Sequence, residues 1–317
     1  MATAIVASAY GGPDVLSAVE ASVRQPRQGE ATIRVKAAAV NPIDYKLYSG
    51  VFGTNPDSLP RRLGQELAGV VTAVGPDASG PAGEIRVGDE VIAYGRGVSG
   101  AYATELTVPA DAVLPKPATL SWEQASGLLL TGVTAVHTLA ATGVTAGDTV
   151  LIHGSAGGVG LTAAQLAILR GAQVIGTASE ARHERLRHYG VTPVAYGPGL
   201  ADRVRELAPG GIDAAIDTIG TDEAIDVSLE LVPDRDRIAT IAGFHRAADS
   251  GIKQLGSAPG ADPGTEIRSQ ARSELVSLAA DGKLDVVVAA TFPLEEAAAA
   301  HELVAAGHAG GKVVLVP

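Results

Sequence analysis

The stretch Thr149–Ser179, TVLIHGSAGGVGLTAAQLAILRGAQVIGTAS, decides the fold. The apolar run Val150–Ile152 stops at a glycine cluster, and Gly157, Gly158 and Gly160 open a run of small residues. About 20 residues beyond the cluster, a second apolar run, Val174–Gly176, ends in Thr177-Ala178-Ser179. This spacing predicts a strand–turn–helix–strand unit with a phosphate cradle at the helix N-terminus. Glycines let the backbone approach a pyrophosphate closely, while helix N–H groups and the helix dipole favour its charge. Ser155, Ala156, Gly157, Gly158 and Val159 are therefore expected to contact a dinucleotide.

Downstream, strand and helix patterns alternate. Strands are expected at 149–153, 173–177, 192–196, 213–219 and 237–243, and helices at 158–170, 182–189, 200–207 and 224–231. Such alternation implies a parallel sheet with right-handed crossovers. The Gly-, Ser-, Ala- and Pro-rich segment 244–264 reads as a long loop. A helix (266–280), a strand (284–290), a helix (294–307) and a strand (313–316) follow. Upstream, 2–8, 30–39, 69–74, 90–93 and 102–108 read as short strands between Gly/Pro turns, a compact β-rich region. Pro115 and Pro117 mark a boundary, and 122–141 reads as one or two helices with a break at Gly132.

Aromatic residues make up only 3% of the 317 residues, so Ala, Val, Leu and Ile must build the core. The net charge of -11 argues against a nucleic-acid partner, which would require a basic face. With no cysteine, disulfides, thiolate metal sites and cysteine nucleophiles are excluded. The N-terminal segment lacks a secretory pattern and no apolar run is long enough to span a membrane, so a soluble cytoplasmic protein is expected. His153-Gly154-Ser155-Ala156-Gly157 approaches a nucleophile elbow, but His153 stands where that pattern requires Gly.

Several motifs occur in order: Asn41-Pro42-Ile43-Asp44, Leu63–Val71 (LGQELAGVV), Val87–Val91 (VGDEV), Thr131–Ala135 (TGVTA), the Gly154–Gly160 cluster and Gly307–Leu315 (GHAGGKVVL). Together they resemble the medium-chain dehydrogenase/reductases, in the zinc-free quinone oxidoreductase (zeta-crystallin-like) branch. The resemblance implies an α/β protein in which a GroES-like β-rich catalytic domain (1–118 and 263–317) accompanies a Rossmann-type nucleotide-binding domain (119–262). It also implies pairing through the nucleotide-binding domain, as a homodimer in most members and a tetramer in some. Zinc-dependent relatives carry Cys and His where this chain has Asn41, Asp44 and Gln65, leaving Glu66 alone of a ligand set, so no metal is expected. Without a Lewis acid, hydride donation to a conjugated acceptor fits better than alcohol–ketone exchange.

The expected cofactor is NADPH. NAD-specific proteins of this architecture end the second strand in Asp or Glu; here Ser179 stands there, followed by Arg182 and His183. Glu180 is the dissenting residue. Tyr196 matches a family tyrosine beside the adenosine. Thr131 and Thr134 are placed by the resemblance at the nicotinamide end, and Lys312 matches a family lysine near the cofactor. Ile219, Gly220, Gly243 and Phe244 fall at carboxyl ends of strands, where such sheets bind ligands. On the substrate side, Asn41 would orient a quinone or α,β-unsaturated carbonyl, Tyr45 or Tyr48 would donate a proton, and Asp44 would act with them or organise the loop. An enoyl-thioester reductase and a non-catalytic NADPH-binding protein are the alternative readings.

Overall fold

The computed structural model describes residues 1–307 and 309–317; His308, within the Gly307–Leu315 motif, lies outside the described residues. The chain forms two compact units, Met1–Leu130 with Arg272–Pro317, and Thr131–Ala271.

In the contiguous unit, six parallel strands form one sheet: Thr149–His153, Gln173–Thr177, Thr192–Val194, Ala214–Asp217, Ile238–Thr240 and Lys253–Gln254. Numbered along the chain within this sheet, their spatial order is 3-2-1-4-5-6, the doubly wound arrangement of dinucleotide-binding domains. Thr149–Ile152 pairs in parallel with Gln173–Gly176, and the helix Gly158–Leu169 makes the crossover between them. Burial on both faces explains the apolar runs of the central strands; all four residues of Ala214–Asp217 are buried.

The expected loop at 244–264 is corrected by a helix, Phe244–Ser250, and the sixth strand. Composition hides the reason: Ala247 and Ile252 are both buried in this unit's core, and together they draw the segment onto the sheet.

The discontinuous unit is β-rich. Its seven-stranded mixed sheet runs Val113–Pro115, Glu90–Tyr94, Glu66–Val74, Glu30–Val40, Lys312–Val316, Val288–Pro293, with Glu105–Pro109 also paired to Glu30–Val40. A three-stranded sheet, Leu16–Ala21, Ala2–Ala7 and Arg61–Arg62, accompanies it. The strand expected at 284–290 begins only at Val288. Asp285 Oδ1 accepts the Val286 N–H and the Val286 carbonyl accepts from Gln124 Nε2, so side chains occupy the groups a ladder would need.

The helical stretch after Pro117 breaks at Gly127–Leu128, giving Trp122–Ser126 and Leu129–Ala141, whereas Gly132 lies inside the second helix. Ser121 caps the first, with Gln124 completing a capping box. Glycine is required at the break, where a Cβ would lie 2.8 Å from Lys312 Cε and 2.9 Å from its Cγ. The lysine stem passes where any other side chain would stand.

Candidate functional sites

The nucleotide unit presents a cradle at the end of its first strand. Gly154 turns the chain at φ +73°, the left-handed region that favours glycine. Its N–H donates to Thr177 Oγ1, and the Ser155 N–H and hydroxyl both donate to the Thr177 carbonyl, at 3.0 and 3.1 Å. The turn is thereby tied to the end of the second strand. Gly157 then starts the helix with no side chain capping it, leaving the first-turn N–H groups of Gly158, Val159 and Gly160 directed outward along the helix axis. A Cβ on Gly160 would lie 2.3 Å from the Gly154 carbonyl, and one on Gly176 would lie 2.4 Å from Ser155 Oγ. Glycine at both positions lets turn, helix and strand close on one another. A dinucleotide pyrophosphate fits this uncapped, side-chain-free N-terminus.

Ser155 is fully buried and bonded to Thr177, so it supports the cradle from beneath. Ala156 is buried, whereas Gly157, Gly158 and Val159 keep partial exposure. Ser179 is exposed, Arg182 and His183 are half-buried, and His183 Nε2 lies 3.2 Å from the Ala178 carbonyl. Tyr196 and Ile219 are exposed at 54% and 48%. Thr131 and Thr134 are buried on Leu129–Ala141, and Phe244 begins the helix after Gly243.

Two features of this unit escape a sequence reading. Asp217, fully buried at the end of the fourth strand, accepts the Ile219 and Gly220 N–H groups on Oδ1, each at 2.9 Å. Its Oδ2 accepts the Thr240 hydroxyl at 2.6 Å, and Thr240 Oγ1 accepts the Ala242 and Gly243 N–H groups. One carboxylate thus shapes both strand ends that carry Ile219 and Gly243. The detectable signal was an Asp followed closely by Gly, the pattern of an Asx turn. The second feature is Arg185, whose Nη2 donates to the Ala156 carbonyl at 3.3 Å while its buried Nε has no partner among the described residues. Burial, then the nearby Arg182 charge, lowers its pKa from the usual arginine value.

The β-rich unit holds a second cluster. Asn41 caps the short helix Pro42–Lys46, and its backbone N–H donates to Asp44 Oδ2 at 2.9 Å. Asn41 Nδ2 donates to Glu66 Oε1 at 3.0 Å and to the Ala39 carbonyl at 3.4 Å. Lys312 Nζ donates to Asn41 Oδ1 at 2.5 Å and to Glu66 Oε1 at 3.1 Å. Glu66 Oε2 accepts the Leu130 N–H at 2.8 Å, near the start of Leu129–Ala141. Side-chain exposure of Lys312 and Glu66 is 5% and 2%, so each compensates the other's charge inside the protein. The structure therefore brings Lys312 together with Asn41, and the lysine is not a surface residue.

Asp44 is fully buried and accepts the Tyr102 hydroxyl at 2.8 Å, while its Oδ1 has no partner among the described residues. Burial pushes its carboxyl up to about 6, against the opposing pull of the Asn41 N–H, the Tyr102 hydroxyl and the Lys312 charge. Tyr48 is buried with its hydroxyl 2.8 Å from His301 Nδ1, and burial pushes that phenol far above its usual value. Burial also pushes the His301 imidazole down to about 4. The Tyr102 and His301 rings meet edge to face, 5.6 Å apart. Tyr45 alone of the expected proton donors keeps partial exposure. Among the described residues, no three His, Cys, Asp or Glu side chains gather as a metal site.

Residues 27–118 match the alcohol dehydrogenase GroES-like domain, and 189–315 match the zinc-binding dehydrogenase family. Quinone oxidoreductase 1 of Escherichia coli is 33% identical over the whole of both chains. The chain belongs to the medium-chain dehydrogenase/reductase superfamily, in its quinone oxidoreductase branch. Among solved structures, the Escherichia coli quinone oxidoreductase complexed with NADPH superposes with a TM-score of 0.84 at 29% identity, covering 99% of this chain and 100% of that one. An NAD-dependent alcohol dehydrogenase superposes at 0.86 with 31% identity, covering 99% of each chain. The GroES-like and nucleotide-binding architecture expected from the motifs is the architecture observed, and as a quinone oxidoreductase relative the chain is an oxidoreductase using a nicotinamide cofactor.

Proposed function

We propose that this protein is an NADPH-dependent, zinc-independent reductase that passes hydride to a quinone or an α,β-unsaturated carbonyl. The observation that carries the reading is the N-terminus at Gly158, which no side chain caps and which the close approach of turn, helix and strand at Gly160 and Gly176 holds against the end of the second strand, as a pyrophosphate cradle requires. The cofactor supplies a hydride. The chain holds its pyrophosphate on the N–H groups of Gly158, Val159 and Gly160 and shapes the strand ends through Asp217 and Thr240.

The preference for NADPH rests on the end of the second strand. Ser179 stands where an acidic residue would bond a ribose hydroxyl, Arg182 follows in the next turn, and Arg185 donates to the Ala156 carbonyl of the cradle. Zinc independence rests on the donor set: Asn41 and Lys312 already engage Glu66, so its carboxylate meets an internal cation. Asn41 then acts as a positioning residue, Asp44 organises its loop, and Tyr45 or water supplies the proton to the product. Tyr48 supports the cluster through His301. The chain works as a soluble cytoplasmic homodimer.

The test is NADPH and NADH oxidation in parallel against an ortho-quinone and a 2-alkenal. NADPH-selective turnover of either acceptor is expected. NADH preference would overturn the assignment of Ser179 and Arg182. Tight NADPH binding with no turnover of either acceptor would overturn the reductase reading in favour of a thioester acceptor or a sensing role.

A further inference from the structure

A hydrogen-bond census of the buried cluster leaves one donor over. Both Asn41 amide hydrogens have acceptors, Glu66 and the Ala39 carbonyl, and Asn41 Oδ1 accepts from Lys312. Glu66 accepts on both oxygens. The Tyr102 hydroxyl donates to Asp44. Lys312, however, has three N–H groups and uses two, on Asn41 and Glu66; the third has no acceptor among the described residues. Nearby, the buried Asp44 Oδ1 also lacks a partner, a second sign that the cluster is unfinished. The route of the lysine is built for this placement, since Gly127 is held free of a side chain so that the stem can reach Asn41 and Glu66.

We infer that the third N–H of Lys312 binds the carbonyl oxygen of the acceptor and stabilises the negative charge that develops there. This inference rests on the reductase reading above. When hydride bonds to the β-carbon of an enone, the C=C and C=O electron pairs shift and the carbonyl oxygen becomes an enolate. Water then protonates the α-carbon, and the nicotinamide is the group oxidised. With a quinone, the corresponding anion is the hydroquinone monoanion. A donor held in place before reaction stabilises such an oxyanion without reorganising. Glu66 and Asn41 hold the ammonium in place and act as positioning residues.

The probe is 4-nitrophenol, whose colour reports whether it is bound as the phenolate, an oxyanion like that of the product. Titrations use the full chain with and without oxidised cofactor. Wild type is expected to bind the phenolate in preference to the phenol, lowering the probe's pKa. Lys312→Met is expected to lose at least tenfold in phenolate affinity, and Lys312→Arg to recover part of it. Because Lys312→Met leaves Glu66 buried without its counter-charge, the double variant Glu66→Gln/Lys312→Met provides a second test in a neutral cluster, with the same expected loss. An unchanged probe pKa in both variants, or no phenolate binding by wild type, overturns the inference. Kinetics separate it from the reading it rests on. If wild type reduces neither acceptor, the reductase reading fails; if wild type turns over and Lys312→Met keeps its kcat, only the role of Lys312 fails.

Discussion

Asp44 and His301 titrate in opposite senses over the same pH range, and each should conceal the other. The Asp44 carboxyl moves from its ordinary 3.8 up to about 6 in the native protein, mainly through burial. Between those values the native state holds a proton that the unfolded chain has released, so stability rises as pH falls. At 1.36 kcal/mol per pKa unit, the effect amounts to about 3 kcal/mol. His301 runs the other way. Its imidazole moves from 6.5 down to about 4, so the unfolded chain takes a proton that the native state refuses, and stability falls by about 3 kcal/mol as pH drops through that window. Across about pH 4–6 the two slopes cancel. Asp44→Asn should expose the His301 slope, losing about 3 kcal/mol relative to wild type between pH 6.5 and 4. His301→Asn keeps an acceptor for the Tyr48 hydroxyl and should expose the Asp44 slope, gaining about as much relative to wild type. Urea unfolding at a series of pH values, followed by fluorescence of the single tryptophan Trp122, measures both. Differences from wild type at each pH remove the titrations common to all three proteins. If both variants track wild type in parallel from pH 7 to 4, neither group is held as described and the argument is wrong.

Three further outcomes are expected. Gly160→Ala places a methyl group 2.3 Å from the Gly154 carbonyl and 2.8 Å from Ser155 Cα; it should cost about 1–3 kcal/mol of stability and weaken NADPH binding at least tenfold, read by thermal melting and cofactor fluorescence. Unaltered affinity would mean that the close approach is not what forms the cradle. Ser179→Asp should raise the NADH-to-NADPH ratio of kcat/KM by tenfold or more, by restoring a partner for the ribose hydroxyl and repelling a 2′-phosphate. Gly127→Ala should destabilise by about 1–3 kcal/mol, and that penalty should shrink in a Lys312→Ala background, measured as a double-mutant cycle. Equal penalties in the two backgrounds would show that the lysine stem is not what demands glycine there.

What could be read from the sequence, and what could not, follows from the range of the interactions. The cradle was legible because its residues are neighbours: Gly157, Gly158 and Gly160 signal a turn and a helix start between two apolar runs. The helix Leu200–Leu207 was equally plain, its Leu200 and Val204 buried one turn apart. The need for glycine at 127 was not, since it comes from a side chain 185 positions away at Lys312. Nor could spacing show that Lys312 meets Asn41 and Glu66, separated from it by 271 and 246 residues. The helix Phe244–Ser250 was hidden by the Gly-, Ser-, Ala- and Pro-rich segment that follows it, because burial of Ala247 and Ile252 is a tertiary effect that local composition does not show. Asp217 was visible as a residue and silent as an organiser, because its partner Thr240 lies on the adjacent strand.

The pairing of Lys312–Val316 with Glu30–Val40 has a consequence for synthesis on the ribosome. Among the described residues, the Ala38–Val40 end of that strand pairs only with Val313–Leu315. Residues 131–271, a contiguous unit, can emerge and fold in the interval. At about 5–20 residues per second, roughly 10–40 s separate completion of the segment up to Leu130 from arrival of the closing strand. Throughout that time the nascent chain carries an open β edge beside Asn41, with Glu66 still lacking its lysine. A single late event then seals the edge and neutralises the carboxylate, so the nascent chain is most open to edge-to-edge association just before this cluster forms.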